Sequence, residues 1–128
     1  MNLMGRPREF DESEVLRRAT TLFGRRGYDA VSVDTTLGAL ALNRASFYKL
    51  YGSKHGLLRA ALEQVCQRAQ TGDVDQDSKD LVVVSLLELA PANDDMRHLA
   101  TRAADLCFAS DPTLIGQHLL ARANRTTA

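Results

Sequence analysis

The sequence predicts an all-α protein, and three observations carry that prediction. Apolar residues recur at helical spacing through most of its length, and residues that cap helix N-termini stand ahead of those runs at Asp11, Ser32, Asn43 and Ser53. The one strand-like run, Val82-Val83-Val84, has no second such run to pair with, so a short buried helix is expected over residues 81–90. At 128 residues the chain is long enough for one helical core, or for one small module leaning on another, and too short for most multi-domain enzymes.

Residues 1–9 lack periodicity, and Gly5-Arg6-Pro7-Arg8 reads as a basic arm. Arms of this kind place Arg6 and Arg8 in a minor groove or along phosphates, the alternative being a solvated terminus. The first helix starts at the Asp11 cap, with Glu14 placed for a capping box and Phe10 placed to staple against Val15. Val15, Ala19, Leu22 and Phe23 give it one apolar face over about fifteen residues, and Gly27 ends it by taking a left-handed conformation.

Ser32 caps a second short helix whose inward residues are expected to be Val33, Leu37 and Leu40. Asn43 caps a third, on which Phe47, Leu50 and Tyr51 share a face while Arg44, Ser46, Tyr48 and Lys49 lie opposite. A short helix that is greasy on one side and rich in hydrogen-bond donors on the other fits the major groove of B-form DNA. Ser53 caps the fourth helix, where Leu57, Leu58, Ala61, Leu62, Val65, Cys66 and Ala69 form a stripe of about four turns that braces the first three helices.

Taken in series, Arg26-Gly27-Tyr28, Ser32-Val33-Asp34, Arg44-Ala45-Ser46-Phe47-Tyr48, Gly52-Ser53-Lys54 and Leu57-Leu58 make residues 5–60 resemble the N-terminal DNA-binding domain of the TetR family of bacterial transcriptional repressors. The resemblance implies a helix-turn-helix DNA-binding domain over 1–52 and a dimerisation and regulatory domain over 53–128, here unusually short. It implies that Arg44, Ala45 and Ser46 approach base edges and that Tyr48 and Lys54 hold phosphates. Lys49 is placed for either, Asn43 belongs to the same helix start, and Ser32 and Thr35 reach toward the backbone. Where this motif usually has Gly in its turn, the chain has Ala41, at a cost of about 1 kcal/mol if the position needs a positive φ.

Residues 71–79, acidic and aperiodic, read as a linker or mobile loop. Pro91 is expected to stop the apolar run before it, and Asn93 or Asp94 to cap the next helix, with Met96, Leu99, Ala100, Ala103, Leu106 and Cys107 on its stripe. Asp111-Pro112 opens the last helix, faced by Leu114, Ile115, His118, Leu119 and Arg122, with fraying expected from Asn124 onward. The stripes on these two helices point to a homodimer built on a four-helix bundle. The family also implies a small-molecule effector. A three-helix body leaves little room for one, so a small pocket, a pocket at the dimer interface, or none is expected, with any lining drawn from Leu62, Cys66, Leu86, Leu89, Leu99 and Ala103.

Residues 1–60 hold ten Lys and Arg against six Asp and Glu, a net +4, and the rest of the chain carries −4, as a DNA-facing end joined to another kind of surface would. Nothing forms a nucleophile–base pair, a paired-carboxylate site or a Gly-rich phosphate loop, so no enzyme and no cofactor are expected. Cys66 and Cys107 lack metal-ligand spacing and sit on apolar faces, and His98 and His118 lack a third ligand, so no metal site is expected. No apolar stretch suits a signal peptide or a membrane span, and the expectation is a soluble cytoplasmic protein without a membrane partner. The competing class is a helical interaction module that keeps the fold without binding double-stranded DNA.

Overall fold

The computed structural model describes residues 11–125, and all regular structure among them is helical. The order is α1 (Glu12–Arg26), α2 (Val33–Leu40), α3 (Arg44–Tyr51), α4 (Lys54–Gln70), α5 (Gln76–Val84), a π-helical turn Ser85–Leu89, a 3-10 turn Ala90–Ala92, α6 (Asp94–Phe108) and α7 (Pro112–Ala123). Arg6, Arg8 and the Phe10 staple lie outside the described residues. The Asp11 carboxylate accepts from the Ser13 amide, which satisfies one free donor of the first turn. Glu14, expected to close a capping box, pairs with Arg18 one turn along.

Phe23, Phe47, Leu57, Leu58, Leu62, Leu81, Met96 and Phe108 are fully buried members of one apolar core that runs from α1 through α6. The most extensive pairings are α1 on α5, α4 on α6 and α1 on α4. Thus α4 packs on α1, α3 and α6, as its long stripe allows, and α1 is held between α2 on one side and α4 and α5 on the other.

Four expectations are corrected. The supposed loop over 71–79 is confined to 71–75, and 76–79 are the first turn of α5, because Asp75 caps it by accepting from the Ser78 amide while Arg68 binds both Asp73 and Asp75. The apolar run over 81–90 ends just before Pro91 as expected, but it is not one α-helix. It passes through the wider π turn and enters a 3-10 turn that contains Pro91, keeping Leu89 and Ala90 in the core and turning Glu88 toward the end of α1. Leu50 is exposed, since it lies to one side of the arc set by Phe47 and Tyr51, and Leu42, just before α3, is buried instead. Arg125, expected to fray, is tied to Asp80, a carboxylate buried on α5.

On α7, Ile115, His118 and Arg122 face the body, whereas Leu114 and Leu119 are exposed together with Leu120. Ala103 of α6 is fully buried and belongs to the chain's own core.

Candidate nucleic-acid interface

Local chemistry sets up α2 and α3 independently of their packing. Ser32 Oγ accepts from the Thr35 amide at 3.0 Å and donates to Thr35 Oγ1, so both side chains are engaged in the cap. Thr36, buried on the inner face, returns its hydroxyl to the Ser32 carbonyl at 2.8 Å. At the other end Ala41 adopts φ 53°, and the amides of Ala41 and Leu42 close on the last turn of α2, to Gly38 and Leu37. Ala41 therefore occupies the left-handed position at which Gly would be unstrained, and the buried Leu42 anchors the turn to the core.

Asn43 Oδ1 accepts from the Ser46 amide at 2.8 Å and starts α3. Phe47 sits in the core with its ring 4.9 Å from that of Tyr48 and 6.4 Å from that of Tyr51. With Phe47 fixed inward, Arg44, Ala45, Tyr48 and Lys49 are exposed and Ser46 is half-buried, which leaves one open polar face. Tyr51 reaches toward Glu12 at the start of α1, and burial with that neighbouring carboxylate pushes its hydroxyl up to about 12.

The junction of α3 and α4 is tight. A Cβ on Gly56 would meet the Tyr51 carbonyl oxygen at 2.0 Å, so only glycine allows the first turn of α4 to lie against the end of α3. Lys54, expected at a phosphate, has its amine engaged within the chain. It donates to the carbonyls of Tyr28 and Val31, both at 2.9 Å, and lies 4.1 Å above the Tyr28 ring. From the opposite side Glu88 accepts from the amides of Tyr28 and Asp29 at 3.1 and 2.8 Å. The turn between α1 and α2 is thus held by one cation from α4 and one carboxylate from the π turn.

Of the residues expected at DNA, Arg44, Ala45, Ser46, Tyr48 and Lys49 come together on α3. Ser32, Thr35 and Asn43 lie beside them with side chains engaged in caps, and Lys54 faces inward. The sequence reading missed Asp34, whose carboxylate pairs with Arg44 across the turn. That hydrogen bond and charge raise the Arg44 guanidinium above its ordinary value. The available signal was an exposed acid in the first turn of one helix and an exposed Arg in the first turn of the next.

The residues suggested to line an effector site are part of the packed interior or lie against it. Leu62, Cys66, Leu89 and Ala103 are buried in the core, and Leu86 and Leu99 pack against it. Two open surface depressions have other walls. One, of about 360 Å³, is lined by Glu14, Arg17, Arg18, Thr21, Leu22 and Ala39; the other, of about 400 Å³, by Glu12, Ser13, Leu16, Ala60, Glu63, Gln64 and Gln67. Both cysteines are free and buried, and burial pushes both thiols up, Cys107 to about 11, which disfavours thiolate chemistry. Among the described residues no group of three or more His, Cys, Asp or Glu is arranged to hold a metal ion, and no helix is long and apolar enough to cross a membrane.

The family model described as "Bacterial regulatory proteins, tetR family" matches residues 15–61, from the second turn of α1 to the middle of α4. The chain is similar to YezE of Bacillus subtilis (strain 168), an uncharacterized HTH-type transcriptional regulator, at 42% identity over 60 residues, which is 47% of this chain and 31% of that protein. It is similar to two HTH-type transcriptional repressors of Escherichia coli (strain K12). BdcR is 40% identical over 60 residues, 47% of this chain and 30% of the relative, and ComR is 34% identical over 64 residues, 50% and 30% respectively. The chain thus spans about a third of the length of these curated relatives in the matched region. No solved structure matches it significantly.

Proposed function

We propose that the chain is a member of the TetR family of bacterial regulatory proteins and a transcriptional repressor binding double-stranded DNA as a homodimer in the cytoplasm. The observation that carries this reading is the open polar face of α3, Arg44, Ala45, Tyr48 and Lys49, set on a helix whose opposite side is locked into the core by Phe47. Arg44 reads a base edge, Tyr48 and Lys49 position the helix on the phosphates, and residues 1–52 act as the reading unit carried by 53–128.

A two-fold pair supports reading at both half-sites. Leu114, Leu119 and Leu120 of α7 are an exposed apolar set suited to a second copy, and Leu119→Lys should yield a folded monomer in sedimentation. Recognition helices entering successive major grooves require half-sites one helical turn, about 34–36 Å, apart or a multiple of it, hence a pseudo-palindromic operator. An effector site lies between subunits, because a body this small has little room to enclose a drug-sized molecule by itself.

The test is selection of bound fragments from genomic DNA, followed by affinity measurement at low and moderate salt. Arg44→Ala should weaken the selected duplex on the order of tenfold to a hundredfold and relax preference at one base of each half-site. Unchanged affinity in that variant, or affinity that does not fall with salt, would identify a helical interaction module instead.

A further inference from the structure

Asp34 stands in the first turn of α2, where the positive end of the helix favours a carboxylate, and its side chain is 82% exposed apart from its bond to Arg44. The bond takes one N–H of Arg44 Nη2, and Tyr48 also acts on the guanidinium; the second N–H of Nη2 still completes a donor edge with a neighbouring nitrogen. An arginine at a groove has several rotatable bonds to freeze before two of its donors can meet the O6 and N7 acceptors of a guanine together. A short carboxylate on a neighbouring, rigidly capped helix removes much of that freedom before DNA arrives.

Building on the DNA-reading role of α3, we propose that Asp34 is a positioning residue that sets base specificity: it holds one edge of the Arg44 guanidinium so that the free edge meets a guanine. The same carboxylate repels phosphate. Asp34 therefore acts in opposite directions on the two kinds of DNA, improving the fit to a duplex with the right guanine and weakening contact with any other backbone. Simple charge removal near DNA would move both affinities the same way. Positioning splits them.

The experiment uses the full chain and two duplexes of equal length at one salt concentration, one selected by the wild type and one of random sequence. Asp34→Asn should weaken the selected duplex about three- to tenfold and tighten the random one about twofold. Asp34→Glu should recover part of the loss. Asp95→Asn, which removes an exposed charge from α6, should leave the ratio of the two affinities unchanged. In an Arg44→Ala background Asp34→Asn should no longer weaken the selected duplex. Parallel shifts on both duplexes, or a loss that persists without Arg44, would overturn the positioning role and leave DNA binding intact. A folded wild type that binds neither duplex would overturn the DNA reading and this inference together.

Discussion

Two Arg–Asp contacts in this molecule have the same chemistry and opposite surroundings. The Arg44–Asp34 pair joins α3 to α2 with both side chains largely in water, while Asp80 on α5 is fully buried and binds Arg125 through two bonds of 2.9 and 2.7 Å. Asp80 also meets His118 Nε2 at 2.7 Å, and Arg122, 4.0 Å away, donates to the Gly24 carbonyl near the end of α1. That carbonyl is among the last four of its helix, which have no partner within the helix, so α7 completes α1 as well as neutralising α5. Burial decides the use of each pair. A buried carboxylate with several donors fixes architecture, whereas an exposed pair contributes little to stability and stays free to meet a ligand.

The largest expected effect comes from breaking the buried member. Asp80→Asn should lower folding stability by about 3 kcal/mol, because Arg125 and His118 lose the charge they were placed against. A shift of the urea midpoint at pH 7, with near wild-type DNA affinity in the folded fraction, is the expected result. Burial alone would push the Asp80 carboxyl up, but the bonds and charges of Arg125 and His118 outweigh it and hold the group below its ordinary range. Burial also opposes ionisation at Asp75, yet the Ser78 amide and Arg68 lower it to about 2. Both groups thus stabilise the fold above about pH 4 and release that stabilisation as the pH falls toward their folded values. Wild-type stability should therefore decline between about pH 4 and 2, and the decline should be shallower in Asp80→Asn.

An intermediate case sharpens the contrast. Lys54 is half-buried and satisfies two carbonyls of the turn between α1 and α2. Lys54→Met should cost about 1–2 kcal/mol of stability. Because the amine is committed inside the protein, the salt dependence of DNA binding should keep its slope while affinity falls through misplacement of α3. A slope reduced by about one unit per site would instead return Lys54 to the phosphates.

These contacts also mark where the sequence was legible. Asp11, Ser32, Asn43, Ser53, Asn93 and Asp111 all cap helices as read, because a cap needs only an amide two or three residues away. The left-handed turn at Ala41 was legible only through the family resemblance, whose motif usually has Gly there. Asp75 chemically resembles those caps, yet it was hidden in an acidic stretch whose apolar periodicity begins only later. Asp80, Glu88 and the inward turn of Lys54 depend on partners 23 to 60 residues away, a separation that no local pattern encodes. The polar part of the exposed face of α3 was readable because it lies opposite Phe47, but the exposure of Leu50 was not, and the Asp34 bond requires the angle between two helices.

The smallest expected effect is on the exposed pair, and it closes the comparison from the other side. Asp34→Asn removes a charge-assisted bond of the same type as those made by Asp80, so bond type alone would predict a comparable loss. The surroundings predict otherwise: both partners are more than half exposed, water replaces the lost contact at once, and salt already screens it. Asn can also still favour the first turn of α2, so little helix stabilisation is lost. The thermal midpoint should move by less than about 2 °C. A fall as large as that of Asp80→Asn would mean that the Arg44 contact holds α2 and α3 together and does more than orient the guanidinium.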